Sequence, residues 1–465
     1  VPRALALSAA VLGGHGAGVR VDGVVRMTDP VLQGLLRTAA AAAAQSDARA
    51  RFWGGIEIAL GAPEAPGSLS EALGGLTSAL IAAGDRPDLD SRLQGAVQAA
   101  RVLVARIGQA EVEVQAQRLS ADAAIGRDVT ALNDGLARLH RLNVEIVQLQ
   151  AAGRSSLELQ DQREQLLGEL SEIVPLRPLM RPDGRMMVYA ESGTVLLDLA
   201  PARLEFATVP AIDAGMTLAD GPAAGPRLDR VAGAPGPRGG RQLSGLSLNG
   251  VAVATGPGGP LAGGRLAASF ALRDDDGPQV QAALDSLARS LIGRHQDPAT
   301  DPSSAPGAPG LFTDAGSAMG PNPPPGLAGR LALNPAVDPA QGGALWRLRD
   351  GLGAALPGPV GDNAQIARWL GALDRPVAPA PGLAARALAT ELAETLSALG
   401  QTRQQAEDRR LYARTVEDAL RQQQLEAGVD IDAEMRRLIE IETAYAANAR
   451  VIQVADDMLR RLMEI

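Results

Sequence analysis

The 465-residue sequence contains no cysteine and no lysine, and all 44 of its basic residues are arginine. The lack of lysine excludes a Walker A phosphate loop, a Schiff-base amine and the kinase-type lysine. The lack of cysteine removes thiol nucleophiles, disulfides and cysteine metal sites, and leaves the redox compartment open. Aromatic residues make up 2% of the chain against 46% hydrophobic residues, so its cores must be aliphatic. No apolar run approaches the ~20 residues of a membrane helix. A basic excess is missing too: net charge is −9 and the pI is near 5.1. That balance argues against a nucleic-acid partner, which needs clustered cations in local excess. The three histidines, His15, His140 and His295, lie far apart in sequence, and no His-Glu-x-x-His motif exists. These features supply no catalytic, cofactor or metal-binding residues.

What is present is helix, mostly at the two ends. A length of 465 residues suggests about three domains. Ala4–Leu12 is apolar after Arg3 but lacks a small-x-small cleavage site, so it reads as a strand near the surface rather than a secretory leader. The Gly13–Gly18 cluster lacks dinucleotide spacing and reads as a turn. Asp29-Pro30 is a helix start, and a breaker cluster at 61–67 separates that helix from one over Ser68–Ile81. From Ser91 to Gln150 almost nothing interrupts a helical pattern. Within it Val129, Leu132, Leu136, Leu139, Asn143 and Ile146 step by three and four, as in a coiled coil. Asn143 on that stripe reads as a buried polar residue that sets helix register. Leu157–Leu170 adds a further helix.

At Pro175 the texture changes. Short apolar stretches at 185–189, 194–198 and 203–206, separated by Pro-Asp-Gly and Ser-Gly, predict antiparallel sheet. A strand is expected over Ser244–Val253 and a helix over Val280–Ile292. Asp274-Asp275-Asp276 reads as a solvated turn, and the Pro/Gly/Ala stretch 297–329 as loop or mobile linker. Helix returns from Leu383 to Leu425, ends near Gly428 and restarts with Asp430 as cap. The expected fold is α+β: an elongated helical bundle built from the N- and C-terminal arms, with a β-rich domain inserted between them. The inner domain would comprise 1–174 and 383–437, the insert 175–382, and an assembly helix 438–465.

That last helix carries the clearest pattern. Leu438, Ile441, Tyr445, Asn448, Ile452, Ala455, Leu459 and Leu462 follow steps of 3, 4, 3, 4, 3, 4, 3, with charge on the flanks. So narrow a stripe suits a coiled-coil seam. Periodicity alone also fits an ordinary helix docked on its own domain.

Gly428-Val429-Asp430-Ile431-Asp432-Ala433-Glu434-Met435, with Ile441-Glu442-Thr443-Ala444-Tyr445 and Ala449-Arg450-Val451-Ile452, resembles the C-terminal signature of flagellar axial proteins. Glu442-Thr443-Ala444-Tyr445 stands where that family has Gln-x-Ala-Tyr. Three further stretches are similar to the hook-associated protein 1 family: 16–29, the helices carrying Asn143–Ile146 and 157–164, and Gly361-Asp362-Asn363-Ala364. The resemblance implies a structural, non-enzymatic role at the hook–filament junction. Implied partners are copies of the chain in a helical ring, the hook protein, the second junction protein, and a cytosolic export chaperone on the C-terminal helices, with no membrane contact. It also implies an extracellular place in the bacterial flagellum, reached through the flagellar secretion channel without a cleaved signal peptide. The family's opening apolar helix is expected to precede Val1-Pro2-Arg3, by trimming or a downstream start. That helix would be the partner of the 438–462 stripe, so the stripe is expected to be unpaired and mobile here. The rival readings are another axial component, such as the second junction protein, and an extracellular enzyme on a helical stalk.

Overall fold

The computed structural model describes residues 3–12, 15–26, 29–62, 65–218, 242–378, 384–426 and 431–463. Strands β1 (Arg3–Leu12) and β2 (His15–Arg26) pair antiparallel from Arg3↔Arg26 to Leu12↔His15. Gly16 and Gly18 thus lie in a strand rather than in the predicted turn, while Gly13 falls outside the described residues. Asp29 caps α1 (Pro30–Leu60), its carboxylate accepting from the N–H groups of Val31 and Leu32 at 2.8 and 3.1 Å. Pro30 occupies the first turn, where its missing N–H leaves no bond unmade. Ser68 caps α2 (Leu69–Asp85) through the Glu71 N–H.

α3 (Asp90–Ala151) then runs 62 residues without a break, about 93 Å at 1.5 Å per residue. α4 (Leu157–Ile173) folds back along its C-terminal half. The predicted stripe from Val129 to Ile146 is buried throughout. Its apolar members up to Leu139 pack with Leu167, Leu170 and the sheets that follow.

β3 (Leu176–Met180), β4 (Met186–Ala190) and β5 (Val195–Leu197) form an antiparallel meander. β6 (Leu204–Glu205), β7 (Thr217–Leu218) and β8 (Gln242–Leu243) are two-residue strands, β7 and β8 pairing parallel. β9 (Leu246–Leu248) joins β6 on one side and β10 (Val251–Val253) on the other. The single strand expected over Ser244–Val253 is therefore a hairpin. It turns at Asn249-Gly250, where φ is 52° and 79°, the positive pair that Asn-Gly supplies in two-residue loops.

Beyond Val253 the insert expected to be β-rich over 175–382 carries more helix than strand among the described residues. α5 (Gly264–Ala271), a π-turn (Leu272–Asp276) and α6 (Gly277–Gln296) form one continuous rod, starting well before the predicted Val280. β11 (Phe312–Asp314) pairs with β12 (Leu331–Leu333) around α7 (Leu327–Arg330). α8 (Trp346–Asp350) and α9 (Ala364–Asp374) follow. These pieces return to the helical frame because Val280, Leu284, Leu287 and Leu291 recur at helical spacing and join the same core as α2 and the first half of α3.

Two other expectations are corrected by the same packing. Asp274-Asp275-Asp276 is not a solvated turn: Asp276 is buried and paired with Arg49 at 2.7 Å, and Asp274 with Arg273 at 2.8 Å, leaving only Asp275 exposed. The 297–329 stretch is not a loose linker, since Leu311, Phe312 and Leu327 are buried in the main core. Buried carboxylates supply the order that composition does not. Asp285 accepts from the N–H groups of Gly326 and Ala328, both at 2.8 Å, and Asp301 from those of Ser303 and Leu352 at 3.1 and 2.9 Å.

α10 (Leu388–Glu426) brings the chain back antiparallel to α1: Arg403 pairs with Glu57, and Arg414 with Asp47. Its buried positions pass from Leu392, Leu396 and Leu399 to Ala406 and Ala413, so the far end of the pair rests on alanine contacts and ion pairs. The architecture is α+β, with helical arms enclosing a β-containing segment. α11 (Ile431–Met463) closes the chain; Leu383, Gly428 and Asp430, the expected ends and cap of these helices, lie outside the described residues.

Candidate functional site

α11 follows α10 in the chain and lies against β2. Along it Tyr445 is 78% exposed, Ile452 69% and Leu459 59%, with Asn448 and Ala455 also exposed. Five of the eight predicted stripe residues are thus on the surface of one helix. The side chains of Leu438, Ile441 and Leu462 lie outside the described set. A row of large apolar groups facing water is the arrangement that marks an interaction surface rather than a core.

The exposed surface is wider than the predicted seam. Val451, Val454 and Met458 are exposed as well. They run at steps of 3 and 4 one position ahead of Ile452, Ala455 and Leu459, widening the apolar arc on one side of the seam. Attention to the a/d positions alone missed this second track, although the same spacing rule reveals it. Elsewhere on the helix Arg460 pairs with Asp456 at 3.2 Å, and Arg460 and Arg461 sit in the last turn, where the helix dipole favours positive charge.

Two carboxylates, Glu111 on α3 and Asp285 on α6, stand near each other. Burial raises the pKa of Glu111 above the usual carboxylate value, and the nearby charge of Asp285 adds to the rise. Asp285 is itself saturated by two backbone N–H groups and by Gln281 Nε2 at 2.9 Å, as a loop cap would be. Among the described residues, no group of three or more His, Asp or Glu side chains stands close enough to hold a metal ion. Nor, among them, is any helix long and apolar enough to cross a membrane. His140 and His295 lie on α3 and α6, with no chemistry joining them; the side chain of His15 lies outside the described set.

Asn143 takes up the buried polar position predicted for it. Its Nδ2 donates to Met186 O at 2.8 Å, and its Oδ1 accepts from Met186 N–H at 3.3 Å and from Arg163 Nη1 at 3.1 Å. It ties α3 to the sheet through Met186 and to a second helix, α4, through Arg163.

The profile described as flagellar hook-associated protein FlgK helical domain matches residues 56–297, just over half of the sequence. The chain belongs to the FlgK family. A second profile, flagellar basal body rod FlgEFG protein C-terminal, matches residues 421–465, the segment that holds α11 and its exposed stripe. Among solved structures, the chain is similar to the flagellar hook junction protein FlgK from Burkholderia pseudomallei, with a TM-score of 0.46 and 18% identity. That likeness covers 60% of this chain and 46% of the Burkholderia FlgK chain, so this chain spans less than half of that structure. No curated protein matches the chain.

Proposed function

We propose that this FlgK-family chain is a structural adaptor of the bacterial flagellum, joining hook to filament by self-assembly. The observation that carries the reading is the exposed apolar track of α11, which falls within the segment matched by the rod-protein profile. The mechanism is geometric. Each subunit repeats around a helical lattice, so one side of the helical frame must complement another side of its neighbour. Leu438, Ile441, Tyr445, Asn448, Ile452, Ala455, Leu459 and Leu462 form the seam that joins subunits, and no bond-making step is involved. The β-containing segment faces outward and adjusts contacts between mechanically different parts.

The partners that follow are copies of the chain in a ring, the hook protein on one side and the second junction protein on the other. Before assembly, an export chaperone covers the C-terminal helices, since an exposed apolar track of this length invites aggregation. The finished protein lies in the extracellular flagellum, having left through the flagellar channel without signal cleavage.

Leu459→Asp tests the seam directly. It should block incorporation into the junction while leaving the helical frame folded; normal incorporation would show that the seam does not carry assembly. Deleting the gene should leave the hook intact, shed flagellin as monomer and abolish swimming. Normal filaments in that strain would refute the junction assignment.

A further inference from the structure

Loss of ammonia from an asparagine needs the backbone nitrogen of the next residue as nucleophile, and six of the seven asparagines are denied a free one. Asn322 and Asn334 precede proline, which has no N–H. Asn133, Asn143 and Asn448 stand inside helices, where the following N–H is committed to the carbonyl of the turn before. After Asn363 the Ala364 N–H opens α9 and donates to Asp362 Oδ1 at 2.9 Å. Asn249 alone is followed by glycine.

The turn that holds Asn249 leaves both reacting groups accessible. Asn249 and Gly250 are exposed, and nothing lies within 4 Å of where a Cβ on Gly250 would stand. Arg203 N–H donates to Asn249 Oδ1 at 2.8 Å, which draws electrons from Cγ as backbone donors do when they stabilise an oxyanion. Nδ2, the leaving group, is bound by none of the described residues. By contrast, Asn133 and Asn143 use both sides of their amides. The hairpin itself is weak. β9 and β10 have three residues each, β10 lies at the sheet edge, and Val251 and Ala252 are exposed. Such a turn opens at small cost, and a glycine lets the peptide swing without a Cβ in the way.

We propose that Asn249 is a site of self-modification, where the folded chain converts its own Asn-Gly turn to an isoaspartyl-Gly linkage. Gly250 N gives its proton to solvent base and bonds to Asn249 Cγ. The Cγ–Nδ2 bond breaks, and ammonia leaves with a proton taken from water, closing a cyclic succinimide. Water then opens the ring. Attack at Cγ leaves aspartate and attack at the main-chain carbonyl leaves isoaspartate, with no change of oxidation state on either route. Isoaspartate carries the main chain through Cγ, and so adds a methylene to a turn whose φ angles are 52° and 79°. The pairing of β9 with β10 then loses its register, together with the two Asn249–Arg203 bonds at 2.8 Å each. The β6–β9–β10 sheet loosens in one direction only, since the ammonia is lost. This holds for the isolated subunit and does not rest on the assembly proposed above.

The lysine-free sequence makes the test clean, because trypsin cuts it at arginine alone and releases residues 242–265 as one peptide carrying Asn249. The folded full chain is incubated at pH 8 and compared, after digestion, with an unincubated sample by mass spectrometry. The 242–265 peptide should gain the mass of an amide-to-acid exchange and elute as two products, aspartyl and isoaspartyl. Peptides carrying Asn133, Asn143 and Asn363 should stay unchanged. At pH 6 the gain should be several-fold slower, because the nucleophile is the deprotonated amide. A synthetic peptide of the same sequence gives the rate of the unfolded chain. No mass gain in the folded chain over the time in which that peptide converts overturns the proposal, as does equal conversion at the other asparagines. Amide exchange at Arg203 should quicken in the converted protein; unchanged exchange there overturns the loosening of the sheet.

Discussion

Asn143 on α3 holds both the N–H and the C=O of Met186, the first residue of β4. A side-chain amide has one donor side and one acceptor side, so it takes the place of a neighbouring strand for this one residue. Asn133 does the same ten residues earlier, donating to Leu204 O at 2.8 Å and accepting from Leu204 N–H at 2.9 Å. Asn143→Ala should cost about 1–3 kcal/mol, the usual range for orphaning a buried polar group, read as a lower urea midpoint. Asn133→Ala should cost less, because its site is only partly buried. The two sites are about 15 Å apart along the helix, so the double variant should be additive.

His295 makes stability depend on pH. It is stacked on Trp369 and meets Phe312 edge to face, with Nδ1 on Leu291 O at 2.8 Å, and its Nε2 finds no hydrogen-bond partner among the described residues. Burial lowers its pKa from 6.5 to about 4; Arg294 and Arg375 push the same way, and the Leu291 bond opposes them. Between those values the unfolded chain binds a proton that the folded chain refuses. Stability is therefore full above the unfolded value and falls as pH drops through the window, by about 3 kcal/mol at pH 4. Chemical denaturation from pH 7 to pH 4 should show this slope, and His295→Leu should flatten it.

Arg294→Lys should behave as a severe change despite the conserved charge. The guanidinium donates to Ser290 Oγ at 3.1 Å and to the carbonyls of Ala372, Arg375 and Arg386, gripping both ends of the passage from α9 to α10. A single ammonium cannot hold that spread of acceptors. A loss of about 2–4 kcal/mol is expected. Amide exchange should quicken at Val377 and Arg386, whose backbones bond each other at 3.0 Å.

Asp285→Ala should loosen the loop before α7, because the N–H groups of Gly326 and Ala328 lose their acceptor. About 2–4 kcal/mol of destabilisation is expected. The same change removes a negative neighbour of Glu111, so the Glu111 pKa should fall toward its ordinary value. Carbon-detected titration of the glutamates separates this effect from the loss of stability.

The legible parts of the sequence were those where a signal and its cause lie close together. Asp29-Pro30 marks the start of α1 because capping is a matter of two or three residues, and the stripe from Val129 to Ile146 shows its buried face through period alone. Asp274-Asp275-Asp276 was misread because its partners are distant: Arg49 stands 227 positions from Asp276. Local charge density suggested water where the fold supplies guanidinium. The Gly/Pro-rich stretch after Asp297 failed in the same way, since Asp285 and Asp301 bind its amides from positions that composition cannot weigh. On α11 the 3-4 spacing of the stripe was visible and the parallel track of Val451, Val454 and Met458 was not, because a coiled-coil template looks at only two positions in seven.

The length of α3 has a consequence for how such a subunit can change over generations. Both cores are threaded on one uninterrupted rod, so the rod acts as a ruler with marks every 1.5 Å and 100°. Adding one residue between Ala121 and Ile125 would rotate everything beyond it by that angle and aim Leu132, Leu136 and Leu139 at solvent. Only insertions near whole numbers of turns, such as seven or eleven residues, keep both faces inward. Changes in the reach of the molecule are thus confined to coarse steps along the rod, while fine adjustment is left to the connections at its ends.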